Sequence, residues 1–294
     1  FGRWLTRRLR EFSKAAVRIN DLEFAQVRHV RRSRVRELDE TALAFNAMLD
    51  GLQWFESYVP RALVRRLMRA GHGDHGIESV EREVTVMFTD IAGFTTLSES
   101  MTAPETAAFL NAHFGLVDTA IDSEDGTVDK HMGDGVMAFW GAPEPLADQA
   151  LHACRAAVAI RAAITAENAT RRAAGLAPVY CRVGIHTGMA TVGNIGAASR
   201  LSYTIVGDTV NSASRLCEMG KMVGHDDNDV VILLGGETAL RAGAAFVLES
   251  MGSHVLRGRH GDTEVFQLLG PVPGSAADGT VEERAKVAEA AAVR

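Results

Sequence analysis

The order of apolar patterns in the middle of this sequence limits the folds available to it more than any other feature. Alternation of apolar and polar residues predicts strands at Glu83–Phe88 and Val179–His186. Apolar residues three or four apart predict helices at Pro104–Ile121 and Gln149–Ala173. A strand pair around Met132-Gly-Asp-Gly135 lies between those helices. This β-α-β-β-α-β order predicts an α+β fold of the ferredoxin-like type, with an antiparallel-containing sheet and both helices on one face.

Four segments are predicted along the chain. Residues 1–52 contain two amphipathic helices joined by an arginine-rich connector, and residues 53–79 contain a short connecting helix and a linker of glycine and histidine. Residues 80–270 contain the β-α-β-β-α-β core and form the main domain. Residues 271–294 begin with proline, glycine and alanine, a composition that predicts a mobile C-terminal tail.

The composition limits the partners and the cellular compartment that are expected for this chain. The net charge of -6 and the pI near 5.9 give no basic surface of the kind that binds nucleic acid, so no nucleic-acid partner is expected. The three cysteines, Cys154, Cys181 and Cys217, are odd in number and far apart, which favours reduced thiols in a cytosolic compartment.

The start of the chain indicates where it resides. No run of eighteen apolar residues is present, so no membrane span is expected within the chain. However, Phe1-Gly-Arg-Trp-Leu5 precedes a cluster of arginines, as is typical of the cytoplasmic exit of a transmembrane helix. We therefore interpret the chain as the cytoplasmic part of a membrane-anchored protein whose transmembrane sensor lies upstream of Phe1.

Two carboxylates fall where strands end. Asp90 follows the first predicted strand, and Asp134 lies at the tip of the predicted hairpin. Each has an ordinary interpretation, as a strand-end cap and as an Asp-Gly turn. Together, two carboxylates at adjacent sheet ends can share two hard cations, an arrangement that suits in-line attack at a phosphoryl group.

A second pair of polar residues shares one face of a helix. Asn211 and Arg215 are four residues apart in a helix predicted to start near Thr209, so both side chains can point at a single ligand. This spacing on its own is unremarkable in any exposed helix.

Four segments in sequence order resemble the signatures of class III adenylyl cyclases. They are Phe88-Thr-Asp-Ile-Ala-Gly-Phe-Thr95, Lys130-His-Met-Gly-Asp134, Arg182-Val-Gly-Ile-His-Thr-Gly188 and Gly207-Asp-Thr-Val-Asn-Ser-Ala-Ser-Arg215. The resemblance extends over roughly two-thirds of the chain. It implies a cyclase catalytic core that converts ATP to 3′,5′-cyclic AMP and pyrophosphate.

The resemblance also implies roles for the residues around the two carboxylates. Asp90 and Asp134, with the Ile91 carbonyl, would hold two Mg²⁺ or Mn²⁺ ions. The polyphosphate would be bound by the following groups: the backbone near Phe94 and Thr95, and the side chains of Arg182 and Arg257, with Arg259 as the alternative to Arg257.

The remaining roles concern the sugar and the base. By the same resemblance, Asn211 orients the ribose and Arg215 stabilises charge in the pentavalent transition state. Lys130 and Thr204 match the purine-reading pair: the lysine donates to adenine N1, and the threonine hydroxyl accepts from the adenine amino group. Guanine would call for a carboxylate at the position of Lys130.

A homodimer follows from the same resemblance. Lys130 and Asp134 lie on one hairpin, four residues apart, yet would act on opposite ends of one nucleotide. In a head-to-tail homodimer, each of two composite sites takes residues from both subunits. One subunit supplies Asp90, Asp134 and Arg182, and the other supplies Lys130, Thr204, Asn211 and Arg215.

The N-terminal helices resemble a HAMP relay, a parallel coiled-coil module, with Glu37–Met48 similar to its second helix. The alternative is a generic dimerising coiled coil. For the main domain, three other interpretations stay open. They are a guanylate or diguanylate cyclase, a cyclase-like module that binds nucleotide without turnover, and a purely structural dimerisation protein.

Overall fold

The structure is a computed structural model, and it describes residues 2–20, 24, 27–56, 79–197, 200–224, 228–255 and 262–275. The chain divides into two compact units, Phe1–Gly71 and His72–Arg294.

The larger unit is built on one eight-stranded sheet. Its strands are β1 (Val80–Ile91), β2 (Thr127–Met132), β3 (Gly135–Trp140), β4 (Cys181–Ala197), β5 (Arg200–Val206), β6 (Val230–Gly235), β7 (Phe246–Val255) and β8 (Asp262–Pro271). The order across the sheet is β2-β3-β1-β4-β6-β8-β7, and β5 pairs with β4 outside this path. Among the described strands, only β4 and β6 pair in parallel, and the other pairings are antiparallel.

The predicted core is present within this sheet. Strands β2, β3, β1 and β4 lie side by side, and the chain crosses between them through two helices, α4 (Ala103–Asp122) and α5 (Gln149–Ala173). The mixed α+β prediction is therefore confirmed. Helix α5 has the predicted bounds, whereas β1 and β4 are longer than predicted, because β4 continues beyond its apolar segment to pair with β5.

Strand alternation divides the core between the two faces of the sheet. Met87 and Trp140 face one side, where they join the apolar residues of α4 and α5, such as Ile121. Val86 and Phe139 face the other side and belong to a separate cluster. Helices α4 and α5 thus cover the same face, as predicted.

Three further helices belong to this unit. They are α3 (Phe94–Glu99), α6 (Asp208–Met219) and α7 (Gly236–Ala242). Helix α6 packs on the face opposite α4 and α5, where its Ala213 joins the second cluster. Close approach of α6 to β4 depends on Gly184, since a Cβ there would overlap the backbone nitrogen of Cys217 and the carbonyl oxygen of Ala213.

The N-terminal unit contains two packed helices, α1 (Gly2–Asn20) and α2 (Arg36–Glu56). The rings of Phe12 and Phe45 meet edge to face, with centroids 5.5 Å apart. A small apolar cluster lies beside them, formed by Ala15, Ile19, Val27 and Leu49.

The connector between these helices is held along α2 by side-chain amides. Gln53 donates to the carbonyl of Phe24 at 2.8 Å. Asn46 donates to the carbonyl of Val30 at 3.0 Å and accepts from its backbone N–H at 2.8 Å. The connector therefore runs from the C-terminal end of α2 back toward its N-terminus, so α1 and α2 run in the same direction.

Other predictions fall partly or wholly outside the described residues. The linker at 57–78 and residues 276–294 of the tail lie outside them. The start of the tail is anchored, since the backbone N–H of Val272 donates to the Ala245 carbonyl at 2.9 Å.

The three cysteines are buried and form no disulfide with one another. Among the helices that the structure describes, none combines the length and apolarity needed to cross a membrane.

We expect Gly184→Ala to lower the free energy of unfolding by about 1–3 kcal/mol, because the added methyl forces α6 away from β4. Gly115→Ala is the matched control: this exposed glycine lies inside α4, and an added Cβ meets nothing within 4 Å. That change is expected to raise stability by about 0.5–1 kcal/mol. Urea denaturation of both variants measures the difference, and equal effects would contradict the close-packing argument.

Candidate active site

The two predicted metal-binding carboxylates lie at the same edge of the sheet. Asp90 is the penultimate residue of β1, and Asp134 lies in the turn between β2 and β3. The Asp134 carboxylate accepts a hydrogen bond from the backbone N–H of Ile91 at 3.2 Å. Pairing of β3 with β1 brings the turn to the end of β1, which explains why residues far apart in sequence meet.

Arg182 completes this cluster from the neighbouring strand. It lies directly opposite Asp90 in the β1–β4 register and forms an ion pair with that carboxylate. Its guanidinium also donates to the Ile91 carbonyl at 3.4 Å. Burial raises the pKa of Asp90, and the nearby Asp134 raises it further, whereas the Arg182 guanidinium lowers it.

These donors fit a divalent cation. Two carboxylates and a backbone carbonyl are oxygen ligands of the type that Mg²⁺ and Mn²⁺ prefer, and repulsion between Asp90 and Asp134 would be relieved by a cation. Within the described residues, no group of three or more His, Cys, Asp or Glu side chains forms a metal cage. A divalent cation held by two carboxylates and a carbonyl completes its coordination with water or with oxygens of a ligand.

Helix α3 begins beside this cluster. Its N-cap is Gly93, which has a left-handed φ of 69° and turns the chain away from β1. Thr95 is exposed in the first turn, while the Phe94 ring packs on Phe109 with centroids 6.3 Å apart. The first amides of α3 have no carbonyl partner within the helix and can bind an anion.

An aromatic stack continues from Phe109 along α4. His113 lies between Phe109 and Phe114, with ring centroids 6.4 and 6.0 Å away. Its Nε2 is buried and has no hydrogen-bond partner among the described residues. Burial lowers the pKa of His113 to about 4, so the ring is neutral at physiological pH.

The predicted base-reading pair forms a second cluster. Lys130 on β2 donates to the Thr204 hydroxyl on β5 at 3.4 Å. Sequence reasoning missed a third member, Asp129, whose carboxylate accepts from the Thr204 hydroxyl at 2.6 Å and lies 3.4 Å from the Lys130 ammonium. Burial raises the pKa of Asp129, against the opposing effects of the Thr204 hydrogen bond and the Lys130 charge.

A β-bulge explains why Asp129 was missed. Val128 pairs with Ala138 and Lys130 with Met137, so Asp129 is the extra residue on its strand. Consecutive residues of a regular strand point to opposite faces, whereas here the two neighbouring side chains contact each other and the same threonine. The only signal in the sequence was the adjacency of an acidic residue to Lys130.

Helix α6 carries Asn211 and Arg215 as predicted. Asn211 is exposed in the first half of the helix, and one terminal nitrogen of Arg215, Nη1, is buried without a hydrogen-bond partner among the described residues. A buried guanidinium nitrogen without a partner is costly unless a ligand or another chain satisfies it. The remaining predicted contact, Arg257, lies outside the described residues.

Comparison with known proteins identifies the class. A family model described as "Adenylate and Guanylate cyclase catalytic domain" matches residues 78–270. The chain therefore belongs to the class III adenylate and guanylate cyclase family, and this segment is its catalytic domain.

Some of the similar proteins are named as adenylate cyclases and others as guanylate cyclases. Adenylate cyclase 1 of Rhizobium meliloti (strain 1021) is 37% identical over 268 residues, covering 91% of this chain but 39% of that relative. The adenylyl cyclase CyaB from P. aeruginosa has a TM-score of 0.61 at 32% identity, covering 67% of this chain and 98% of CyaB. The guanylyl cyclase Cya2 has a TM-score of 0.59 at 28% identity, covering 67% and 96%.

The depressed pKa of His113 predicts acid sensitivity. The unfolded chain takes up a proton on this histidine near its ordinary pKa of 6.5, whereas the folded chain does so only near pH 4. The contribution of the neutral ring is thus complete above about pH 6.5 and is lost as the pH falls toward 4. In His113→Phe, the loss of unfolding free energy between pH 7 and pH 5 should be smaller by about 2 kcal/mol. Urea denaturation at both pH values tests this; parallel losses would contradict it.

Proposed function

We propose that this chain is the catalytic part of an adenylate cyclase, which converts ATP to 3′,5′-cyclic AMP and pyrophosphate. The observation that carries the proposal is the contact between Lys130 and Thr204. An ammonium group donates to adenine N1 but would oppose the N1–H of guanine, and a hydroxyl can accept from the adenine amino group. The names of Adenylate cyclase 1 and CyaB support this choice, while the likeness to Cya2 makes guanylate cyclase the alternative to test.

In the proposed reaction, the ribose 3′-oxygen attacks the α-phosphorus as its proton is lost. The bond between the α-phosphorus and the oxygen that joins it to the β-phosphorus breaks, and pyrophosphate leaves. Asp90, Asp134 and the Ile91 carbonyl would hold two Mg²⁺ or Mn²⁺ ions. Such ions, when bound, favour ionisation of the 3′-hydroxyl and neutralise the triphosphate.

The other groups would position the nucleotide. We assign the polyphosphate to Arg182 and to the free amides at the start of α3, near Phe94 and Thr95, because both adjoin the carboxylates. Arg257 is assigned to the same task from its motif. Asn211 would orient the ribose.

Arg215 would stabilise the pentavalent phosphorus. Its buried Nη1 lacks a partner among the described residues, so a guanidinium donor is available for developing negative charge.

We further propose a homodimer with two composite sites. Lys130 contacts Thr204, whereas Asp134, in the turn of the same hairpin, is bonded to the backbone of Ile91. One chain would therefore bind the base of one nucleotide and the polyphosphate of another. Apolar side chains on β4 and β5 are exposed: Met189 is 52% and Leu201 57% accessible. A second copy of the chain would bury them.

The N-terminal unit would transmit a signal to this dimer. Its two parallel helices are compatible with the proposed HAMP relay, and α2 exposes Leu43 and Met48, which a second copy could cover. The arginine-rich N-terminal unit is compatible with a cytoplasmic domain next to a membrane surface, and membrane anchoring is part of the proposal. The chain spans only 39% of Adenylate cyclase 1, so the function of the whole protein is part of the proposal.

Product formation tests the reaction and the base together. The purified chain is incubated with ATP or GTP, each with Mn²⁺ or Mg²⁺, and products are separated by chromatography. We expect cyclic AMP from ATP, and a loss of at least about a hundredfold in Asp134→Ala because the metal ions lose a ligand. Asp118→Asn, a carboxylate bonded to His131 rather than to the site, is the control. Predominant cyclic GMP formation would overturn the assignment.

Mixing inactive variants tests the composite sites. Asp90→Ala and Asn211→Ala damage opposite halves of each site, so a mixed dimer contains one intact site and one doubly damaged site. Random exchange of equal amounts makes half of the dimers mixed, and activity should recover to roughly a quarter of the wild-type value. Failure to recover, despite subunit exchange shown by differently tagged chains, would rule out the shared arrangement.

A further inference from the structure

The buried carboxylate of Asp129 has no role in the reaction proposed above. Its side chain is only 2% exposed, and the bulge in β2 directs it to Thr204 and Lys130. Burying a carboxylate is costly unless it has hydrogen-bond or charge partners, and here a hydroxyl and an ammonium both contact its Oδ2. The carboxylate therefore has a defined pair of partners beside the base-reading residues.

The hydrogen atoms in this cluster can be assigned. An ammonium only donates, an ionised carboxylate only accepts, and a hydroxyl has one proton and two lone pairs. The short 2.6 Å contact therefore directs the Thr204 proton to Asp129. Lys130 can then only donate to the same hydroxyl oxygen, at 3.4 Å. What Thr204 has left for a ligand is a lone pair.

This assignment matters because threonine alone does not distinguish the two purines. A hydroxyl with a free proton can rotate to donate to the 6-oxygen of guanine or to accept from the 6-amino group of adenine. Committing the proton to a buried carboxylate removes the first option. The carboxylate itself, with its side chain almost fully buried, presents no open face to a base.

We propose that Asp129 is a specificity-determining residue that fixes the Thr204 hydroxyl as a hydrogen-bond acceptor and thereby makes the base pocket select adenine over guanine. The inference rests on the proposed adenylate cyclase function and extends it. Asp129 acts through Thr204 and is thus a positioning residue.

The test compares kcat/KM for ATP with kcat/KM for GTP in single preparations, because this ratio does not depend on the fraction of enzyme that is folded. In Asp129→Ala, the Thr204 hydroxyl loses its acceptor and can rotate, which frees the hydroxyl proton for guanine. The ATP/GTP ratio is expected to fall by about tenfold, the factor of one hydrogen bond. In Asp129→Asn, the amide oxygen can take the position of Oδ2 and accept from both Thr204 and Lys130, so this variant should keep most of the preference for ATP.

Repeating the change in a Thr204→Val background separates positioning from a general structural effect. Without the hydroxyl, Asp129→Ala should alter the ratio by less than about twofold. Asp118→Ala, the same substitution at another carboxylate next to this hairpin, should leave the ratio unchanged.

The outcomes are distinct. A wild-type chain that prefers ATP, with an Asp129→Ala ratio that falls only when Thr204 is present, supports the inference. An unchanged ratio in Asp129→Ala, an equal fall with and without Thr204, or an equal fall in Asp129→Asn overturns it while the adenylate cyclase proposal stands. A wild-type chain that prefers GTP, or makes no cyclic nucleotide from either substrate, overturns both.

Discussion

The antiparallel pairing of β1 with β4 is the constraint on which the site depends. Twelve residue pairs, from Val80–Val192 to Ile91–Cys181, join the two strands. This ladder sets Asp90 opposite Arg182 and gives the guanidinium its position against the carboxylate. Further along, β4 pairs with β5 and thereby carries Thr204. A slip of one residue would turn every side chain of β1 to the wrong face, so core packing and site geometry are specified together.

The cluster of Asp129, Lys130 and Thr204 shows how a β-bulge can bring charged side chains together on one face of a regular sheet. The bulge at Asp129 costs one ladder pairing but places an acidic side chain and Lys130 around a single hydroxyl. The family includes relatives named as adenylyl cyclases and as guanylyl cyclases. Under the proposal, base selectivity would depend on where one proton lies as well as on which side chains are present.

The spacing of apolar residues predicted the fold class and several helices and strands, because this spacing directly reflects which side chains are buried. Alternation in β1 and the three-to-four spacing in α5 correspond to faces that are buried against each other, so fold class and helix bounds followed from sequence. The meeting of Asp90 with Asp134 followed from strand ends. The pairing of β4 with β5 and the contacts of Asp129 did not, because long-range pairing and a bulge leave no periodic signal.

The two acidic residues at the sheet edge differ in mechanical stiffness. Asp90 lies within a strand paired on both sides, whereas Asp134 occupies a turn and is tied to the end of β1 by its contact with Ile91. An ion larger or smaller than the preferred one would be accommodated by displacement of the turn, at the expense of a single hydrogen bond. Asp90 would therefore keep its position while Asp134 moves with the turn. The range of ionic radii that the site could accept would then depend on how far the β2–β3 hairpin can move.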